Sequence, residues 1–363
     1  MLLTRSLLAF TTLALPLVVS TYPHEFHEGR DLAGVYYGPD TDNTQFLPVS
    51  SAAIEPTIDP QAGYRIEHLG HGTYFVTDGS YQSMFLVSDK HGVILVDGPP
   101  TIGYNLRAAI KSVTPQPVTH FVYSHSHADH VGAASIFNDT VKYYIAHAET
   151  RAILRRIPAP GDPTRPIPNV VFEKTKTVHV GNQTLSLSHK GPNHEPGNIF
   201  IYAPAARALM VVDIVYPSWA PFSELAQSND IPGWIAAHDE ILAYPFKTYL
   251  GGHLNRYGTR ADVLLQQQYV QDLFTNCRDT INGGFNVTEA IAPVASQKNA
   301  WATFKVYLKV ATDVCTEKTN REWAGRGLAG LDVFGWENAY KMVESLRIDY
   351  GVLGPFAVQE PKN

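Results

Sequence analysis

The sequence predicts a mixed α and β fold in which helices cover two sheets and a helical region follows at the C-terminus. Short apolar or alternating runs begin at Tyr64 and are separated by glycines, which is typical of strands joined by turns. Helical periodicity replaces that pattern after Arg260. Of the 363 residues, 44% are hydrophobic and 17% charged, so the chain can bury a large core and is not an intrinsically disordered protein.

Residues 1–20 are predicted to be a secretory signal peptide. Arg5 is the single charged residue there, and an apolar run covers 6–19 before the small residue Ser20. A membrane anchor is the alternative, but a span needs about 20 apolar residues. We therefore expect a secreted protein without a membrane span. Residues 21–61 are rich in Pro, Asp and Ser and are predicted to form an extended arm.

Residues 62–260 contain the predicted strands and short helices. Helices are expected at 106–113 and after a His-rich turn, and the five prolines of 158–168 indicate a loop near the mouth of a site. The predicted strands cover 64–69, 73–77, 83–87, 93–96, 118–123, 142–145, 177–180, 184–188, 199–202, 208–212 and 248–250.

Residues 261–363 are predicted to form an appended helical region. Apolar residues recur every four positions up to Cys277 and every three or four positions up to Cys315, which places both thiols on buried helix faces. In an oxidising compartment, an even number of cysteines predicts a disulfide between them. Two buried free thiols are the alternative.

Three sequons predict N-glycosylation of a secreted chain. They begin at Asn138, Asn182 and Asn286, each with Thr two residues later. Asn182 follows Gly181 in a predicted hairpin turn, which is an exposed place for a glycan.

The densest group of ligand-type residues follows the strand predicted at 118–123. It reads His125-Ser126-His127-Ala128-Asp129-His130. His125 and His127 are two positions apart at a strand end, so their side chains point to one face. Asp129 and His130 then enter a helix. Imidazole and carboxylate groups at this density are typical of a metal site.

Three further ligand-type residues stand at the ends of other elements. His194 lies in a Gly- and Pro-rich loop, Asp213 follows the apolar strand predicted at 208–212, and His253 follows Gly251-Gly252. A carboxylate or imidazole at the tip of an apolar strand has no role in the core, so it is placed to bind a ligand or to catalyse.

This pattern resembles the metallo-β-lactamase superfamily over about residues 64–269. The resemblance implies an αββα sandwich with a catalytic domain at 62–260 and metal ions at one edge. It implies that His125, His127 and His194 hold one ion, that Asp129, His130 and His253 hold a second, and that Asp213 bridges both. Asp97 resembles an early Asp of the family that lies behind the ligands.

The donor set resembles that of the glyoxalase II and N-acyl homoserine lactonase branches, because it has five His, two Asp and no Cys. Tyr216 resembles a lactonase tyrosine that hydrogen-bonds the substrate carbonyl; an ordinary aromatic in a loop is the alternative. Residues 216–222 are predicted to form a hydrophobic wall for substrate, with packing alone as the alternative.

The resemblance implies a dinuclear hydrolase in which a hydroxide shared by two divalent ions attacks an ester or lactone carbonyl. Asp129 orients the nucleophile or takes its proton, and Tyr216 donates to the oxyanion. Zinc is the ion that this donor set favours, with manganese or iron as alternatives. The substrate is expected to be a small, partly hydrophobic carbonyl compound, and the net charge of −6 argues against nucleic acid.

Other functions remain open from the sequence. A lactamase or thioesterase would use the same residues, and a secreted metal-bound binding protein without turnover is an alternative from another class. The histidines outside the pattern (His147, His179, His189 and His238) are predicted to be structural.

Overall fold

The computed structural model describes residues 46–157 and 163–358. The predicted signal peptide, residues 21–45 of the predicted arm and part of the proline-rich loop lie outside these ranges. The described part of the arm, residues 46–61, contains one 3-10 turn at Ser51–Ala53 and no strand or α-helix. It lies along the rest of the chain, because Leu47 N–H donates to Asp332 and Asn255 N–H donates to Glu55.

Twelve strands among the described residues form two sheets, as the sequence predicts. In the first sheet, which has seven strands, neighbouring strands are antiparallel from the first to the fourth and parallel from the fourth to the seventh. Its strands are β1 (Arg65–Gly70), β2 (Thr73–Thr77), β3 (Gln82–Val87), β4 (Val93–Val96), β5 (Val118–Val122), β6 (Tyr143–His147) and β7 (Val170–Phe172). The second sheet has the order β12-β11-β10-β9-β8. Its strands are β8 (Thr175–Val180), β9 (Gln183–Ser188), β10 (Phe200–Ala203), β11 (Ala208–Met210) and β12 (Thr248–Leu250).

Nine α-helices are assigned in the described ranges. Those before Arg260 are α1 (Asn105–Val113), α2 (Ala128–Val131), α3 (Ala148–Arg156), α4 (Ser223–Gln227) and α5 (Ile231–Leu242). The C-terminal ones are α6 (Arg260–Ile281), α7 (Val287–Ala295), α8 (Ala300–Trp323) and α9 (Leu331–Ile348). None of the described helices is long and apolar enough to cross a membrane.

Three buried clusters show the αββα layering. Alternate residues of an apolar strand enter different clusters, because successive side chains of a strand point to opposite faces. At β11, Met210 and Val212 pack between the sheets, whereas Leu209 and Val211 pack against helices. At β4, Ile94 and Val96 face the second sheet, whereas Val93 and Leu95 face α1 and α2.

The C-terminal helices are part of the sandwich and not a separate body. Tyr269 of α6, Tyr307 of α8 and Met342 of α9 share one buried cluster with Leu209 of β11 and with Trp234 of α5. They are the outer layer that covers the second sheet. The sequence prediction of an appended region therefore had the right secondary structure but understated its contact with the sheet.

The predicted disulfide is present. Cys277 on α6 and Cys315 on α8 are joined, and both side chains are fully buried. The bond closes a span of 38 positions that contains α7. The predicted sequon asparagines Asn138, Asn182 and Asn286 are all exposed, and Asn182 lies in the turn between β8 and β9.

The short helix α4 has an unusual backbone. Four consecutive non-glycine residues, Glu224 to Gln227, have φ between 53° and 62°, which is the left-handed region that L-residues avoid. Asn338 of α9 holds this turn: its side-chain oxygen accepts from Leu225 N–H at 2.7 Å, and its amide donates to the Pro221 carbonyl at 2.8 Å. A fully buried side chain of the C-terminal region thus fixes a strained turn.

Besides α4, three elements before Arg260 were not predicted. Strand β7 has only three residues, and α3 is largely polar and begins after His147, whose side chain accepts from Glu149 N–H. Helix α5 contains Pro232 and Gly233 near its start, which weakens the helical pattern, but Asp230 caps it by accepting from Gly233 N–H at 2.7 Å.

Candidate metal centre

The seven predicted ligands come together where several strands end at one edge of the sandwich. His125 and His127 lie in the turn after β5, and Asp129 and His130 lie in α2. The other three follow strands of the second sheet: His194 in the β9–β10 loop, Asp213 after β11 and His253 after β12. His194, Asp213 and His253 stand 69, 88 and 128 positions after His125 and meet it only through the sheet topology, so the fold assembles the group.

The ligand atoms form two groups. One contains His125, His127, His194 and Asp213, and the other contains Asp129, His130 and His253. Within each group, one potential ligand atom from each residue lies within 4.8 Å of all the others. This is the division between two ions that the sequence predicts.

Asp213 contacts both groups with its carboxylate. Its Oδ2 is 3.2 Å from Nε2 of His194 in the first group and 3.2 Å from Nε2 of His130 in the second. Its Oδ1 is 2.8 Å from Nε2 of His253. A carboxylate in this position can bind two cations at once.

The donor set fits a pair of divalent ions. Imidazole nitrogens and carboxylate oxygens are the ligands that zinc prefers in hydrolytic sites. Nε2 of His125 is buried and has no hydrogen-bond partner in the described part of the chain, although buried ring nitrogens normally have one. Nε2 of His194 lies 3.0 Å from Nδ1 of His127, and Nε2 of His130 lies 3.1 Å from Nε2 of His253. Cations bound between these groups would accept the lone pairs of the facing ring nitrogens.

The charges of the site favour cations. Burial lowers the pKa of His194 to about 4 and the pKa of His125 well below its usual value, so both rings present lone pairs at neutral pH. Burial opposes a charge on Asp213, yet His130 and the neighbouring imidazoles hold the pKa of Asp213 well below its usual range. Burial likewise disfavours protonation of His130, but Asp213 raises the pKa of His130 to about 9. A metal ion takes the place of such a proton.

The backbone of Asp213 is fixed by its surroundings. Asp213 has φ of 63°, in the left-handed region, and its N–H donates to the Gly251 carbonyl at 3.1 Å. The indole of Trp234 donates to its carbonyl at 2.9 Å. These contacts hold the carboxylate in the gap between the two groups.

Tyr216 reaches the site, but its hydroxyl faces a ligand. It is buried and donates to Oδ1 of Asp213 at 3.2 Å. Its backbone N–H donates to Gln266 of α6, whose amide in turn donates to the Ile214 carbonyl and to Nε2 of His238. A buried polar network therefore supports the segment that carries Asp213 and Tyr216.

Asp97 lies behind the first ligand turn. It is fully buried at the end of β4 with φ of 58°, and its Oδ1 accepts from Ser124 N–H at 2.8 Å. Burial raises the pKa of Asp97 to about 6. It positions the residue that precedes His125, as the sequence predicts for a residue outside the ligand set.

Sequence reasoning missed three residues of the site. Tyr81 has its ring centroid 4.6 Å from that of His253, and burial together with the nearby charge of Asp129 raises the pKa of Tyr81 to about 12. Glu195 is buried and accepts from Ser126 N–H at 3.0 Å, which braces the turn between two ligands. Ser228 Oγ lies 3.5 Å from Nδ1 of His194. Glu195 is adjacent to a predicted ligand and was detectable for that reason; the other two have no sequence signal.

The histidines predicted to be structural have protein partners. His147 pairs through Nε2 with the Glu173 carbonyl at 2.8 Å and stacks on His189 with ring centroids 3.8 Å apart. His238 is buried among helices, and its Nδ1 pairs with the backbone carbonyls of Trp234 and Ile235. His179 is exposed on β8.

The ligands open into a cavity of about 970 Å³. Arg165, in the described part of the proline-rich loop, lines it together with Arg156 at the end of α3. That loop therefore borders the site, as the sequence predicts. Tyr81, Asp129 and Tyr216 are also in the lining.

The sequence pattern of the metallo-β-lactamase superfamily matches residues 77–253, which include all seven ligands. The chain carries a domain of this superfamily. Members are generally hydrolases, and the fold usually binds two metal ions. The match ends at the last ligand, so α6 to α9 lie outside it.

Individual relatives of the metallo-β-lactamase domain are distant. A curated relative, 2,4-dinitroanisole O-demethylase subunit alpha from Nocardioides sp. (strain JS1661), is 27% identical over 188 residues, which are 51% of this chain and 56% of the relative. The chain thus spans little more than half of that relative's length.

Two solved structures are also similar. A metallo-beta-lactamase from Pontibacter korlensis is 20% identical with a TM-score of 0.48, covering 56% of this chain and 97% of its own. Metallo-beta-lactamase IND-7 is 21% identical with a TM-score of 0.47, covering 56% and 98%.

Proposed function

We propose that this protein is a dinuclear metallohydrolase that opens an ester or lactone bond. The observation that carries the proposal is the position of Asp213, whose two oxygens contact both ligand groups. A centre that held a single ion would have no use for a carboxylate that contacts both ligand groups. Two divalent ions there would lower the pKa of a water molecule and polarise the substrate carbonyl.

Residues of the chain provide the remaining chemistry. Asp129 is partly exposed and lines the cavity, so its carboxylate can orient the attacking water and accept its proton. Tyr81 also lines the cavity, and burial together with the charge of Asp129 raises the pKa of its phenol to about 12, so the phenol keeps its proton at neutral pH. Its phenol is therefore a second candidate, beside Tyr216, for donating to the oxyanion that forms at the carbonyl.

Hydrolysis of an aryl methyl ether is a second candidate function. The curated relative is named for demethylation of 2,4-dinitroanisole, and its match covers about half of this chain. In a hydrolytic site, water would cleave such an ether into a phenol and methanol. The same metal ligands would serve both reactions, so substrates must distinguish them.

A panel of substrates on the purified chain loaded with zinc, manganese or iron tests these candidates. We expect turnover of lactones or simple esters. Release of 2,4-dinitrophenol from 2,4-dinitroanisole would instead favour cleavage of the aryl methyl ether. Nitrocefin and a thioester identify the lactamase and thioesterase alternatives. Full metal content without turnover of any of them would contradict the hydrolase and leave the binding-protein alternative.

We also propose that the protein is secreted and glycosylated. The signal-like residues 1–20, the disulfide and the three exposed sequon asparagines support this proposal. Mass spectrometry of protein from the medium of expressing cells should find an N-terminus at residue 21 and a mass that falls on deglycosylation. An intact residue 1 in protein that remains inside the cell would contradict it.

A further inference from the structure

A second, smaller cavity lies beside the metal centre. Its volume is about 150 Å³, and we call it the apolar pocket. One side is formed by the loop that follows Asp213, with Tyr216, Trp219 and Phe222, and the other side by Val333 and Phe334 of α9. Leu254, next to the ligand His253, completes it. None of the described residues that line it is Lys, Arg, Asp or Glu.

The walls of the apolar pocket are held together by the protein itself. The rings of Phe222 and Phe334 meet edge to face, with centroids 4.8 Å apart. Behind them, Ala220 N–H donates to the Ala329 carbonyl at 2.8 Å, and Ala329 N–H donates to the Ser218 carbonyl at 2.9 Å. The loop and the start of α9 are therefore joined through their backbones, and the pocket is formed before any substrate binds.

The apolar pocket is continuous with the catalytic cavity. Four residues line both of them: Tyr216, Phe222, His253 and Leu254. A group that occupies the pocket consequently lies next to the metal ligand His253.

We propose that the apolar pocket binds an uncharged, ring-sized part of the substrate, such as a phenyl group. This inference rests on the proposed ester hydrolysis and specifies its substrate class. A cavity of about 150 Å³ with apolar walls is large enough to hold benzene. Aromatic walls favour a ring through edge and face contacts. A charged group would lose its hydration without a partner, and a long alkyl chain or a fused ring system exceeds the volume.

Substrate pairs on the metal-loaded full chain test the proposal. Phenyl acetate and methyl benzoate carry the ring on opposite sides of the ester bond, methyl acetate lacks it, and 2-naphthyl acetate has a ring system that is too large. Val333→Phe fills the pocket. We expect it to lower kcat/KM for at least one of the phenyl-bearing esters by about 10–100-fold more than for methyl acetate. Val113→Phe, on the exposed end of α1, is the matched control and should leave all ratios unchanged.

A second variant tests size in the opposite direction. Phe334→Ala enlarges the pocket and should raise the ratio of kcat/KM for 2-naphthyl acetate to that for phenyl acetate. Equal losses for methyl acetate and the phenyl esters in Val333→Phe, with an unchanged naphthyl ratio in Phe334→Ala, would overturn the proposal. Thermal unfolding of each variant shows whether it is folded. If Val333→Phe does not fold, Val333→Met replaces it in the same comparison.

A binding measurement separates the pocket from the reaction. Phenol is neutral and of the right size, and calorimetry with the metal-loaded chain should detect one site that Val333→Phe weakens at least about tenfold while Val113→Phe does not. Phenol binding with this pattern in a protein that hydrolyses no ester would retain the pocket and reject the ester function. Phenol binding that Val333→Phe leaves unchanged would reject the pocket.

Discussion

The hydroxyl of Tyr216 donates a hydrogen bond to Oδ1 of Asp213 at 3.2 Å, and it is buried. The sequence predicted that this hydroxyl serves the substrate. In the structure it contacts the carboxylate that joins the two ligand groups, three residues before it in the chain. Tyr216 is therefore in a position to orient the bridging ligand, whatever contact it makes with substrate.

Tyr216→Phe should keep about two ions per chain but lower kcat by about 10–100-fold, because loss of a partner that orients a metal ligand typically has that cost. Metal analysis and steady-state kinetics on the same sample measure both. KM should change less than kcat. An unchanged kcat would show that Tyr216 only packs the loop.

Asp213→Ala should lose the dinuclear site. Without the bridging carboxylate, two cations would face each other with less negative charge between them, so metal content should fall from about two ions to one or fewer, and activity should fall with it. The exposed Asp89 offers a control, and Asp89→Ala should retain both ions. Two tightly held ions in Asp213→Ala would disprove the bridging role.

Cys277→Ser/Cys315→Ser should destabilise the protein by about 3–4 kcal/mol, because the bond restricts 38 positions of the unfolded chain. Urea unfolding of the variant, and of the wild type with and without reductant, measures the difference. Non-reducing peptide mapping of the wild type should recover the linked peptides, and free thiols in secreted protein would contradict the pairing.

Asn338→Ala should loosen the left-handed turn in α4. Leu225 N–H and the Pro221 carbonyl would lose their partner inside the protein, which costs about 2–3 kcal/mol in the free energy of unfolding. Amide exchange at Leu225 should accelerate more than exchange elsewhere in the variant. Asn282→Ala, exposed at the end of α6, is the control, and equal exchange at Leu225 in both variants would reject the role of Asn338.

Acidification should destabilise the protein partly through His238. Burial lowers its pKa to about 4, whereas an unfolded histidine has a pKa near 6.5, so the unfolded state binds an extra proton between these values. The free energy of unfolding should therefore fall as the pH drops from 6.5 to 4. His238→Gln should show a shallower fall than His179→Gln, which changes an exposed residue. Parallel curves would exclude His238 as a contributor.

The ligand set was predictable because its information is local. His125 to His130 form one continuous motif, and Asp213 follows an apolar strand whose end is visible in the sequence. The contacts that tune the site were not predictable, since they join distant segments. Tyr81 meets His253 across the sheet edge, and Ser228 approaches His194 through a turn that Asn338 holds.

The same distinction applies to the fold. Two sheets and a helical C-terminus follow from hydrophobic periodicity, which is a property of each segment alone. Helix α5 depends on a capping Asp230 and on burial of Trp234 under the C-terminal helices, and both are properties of the assembled protein. Left-handed backbone at Glu224 to Gln227 contradicts the preference of every residue in it, so no local pattern could indicate it.

The metal ligands and the far wall of the apolar pocket come from separate stretches of the chain. All seven ligands lie within the matched residues 77–253, whereas Val333 and Phe334 lie about 80 positions beyond its end. If the apolar pocket binds substrate as proposed, substitutions in one turn of α9 would change which compounds are accepted without altering a metal ligand. A comparison of relatives over the matched residues alone would then group together proteins with different substrate specificities.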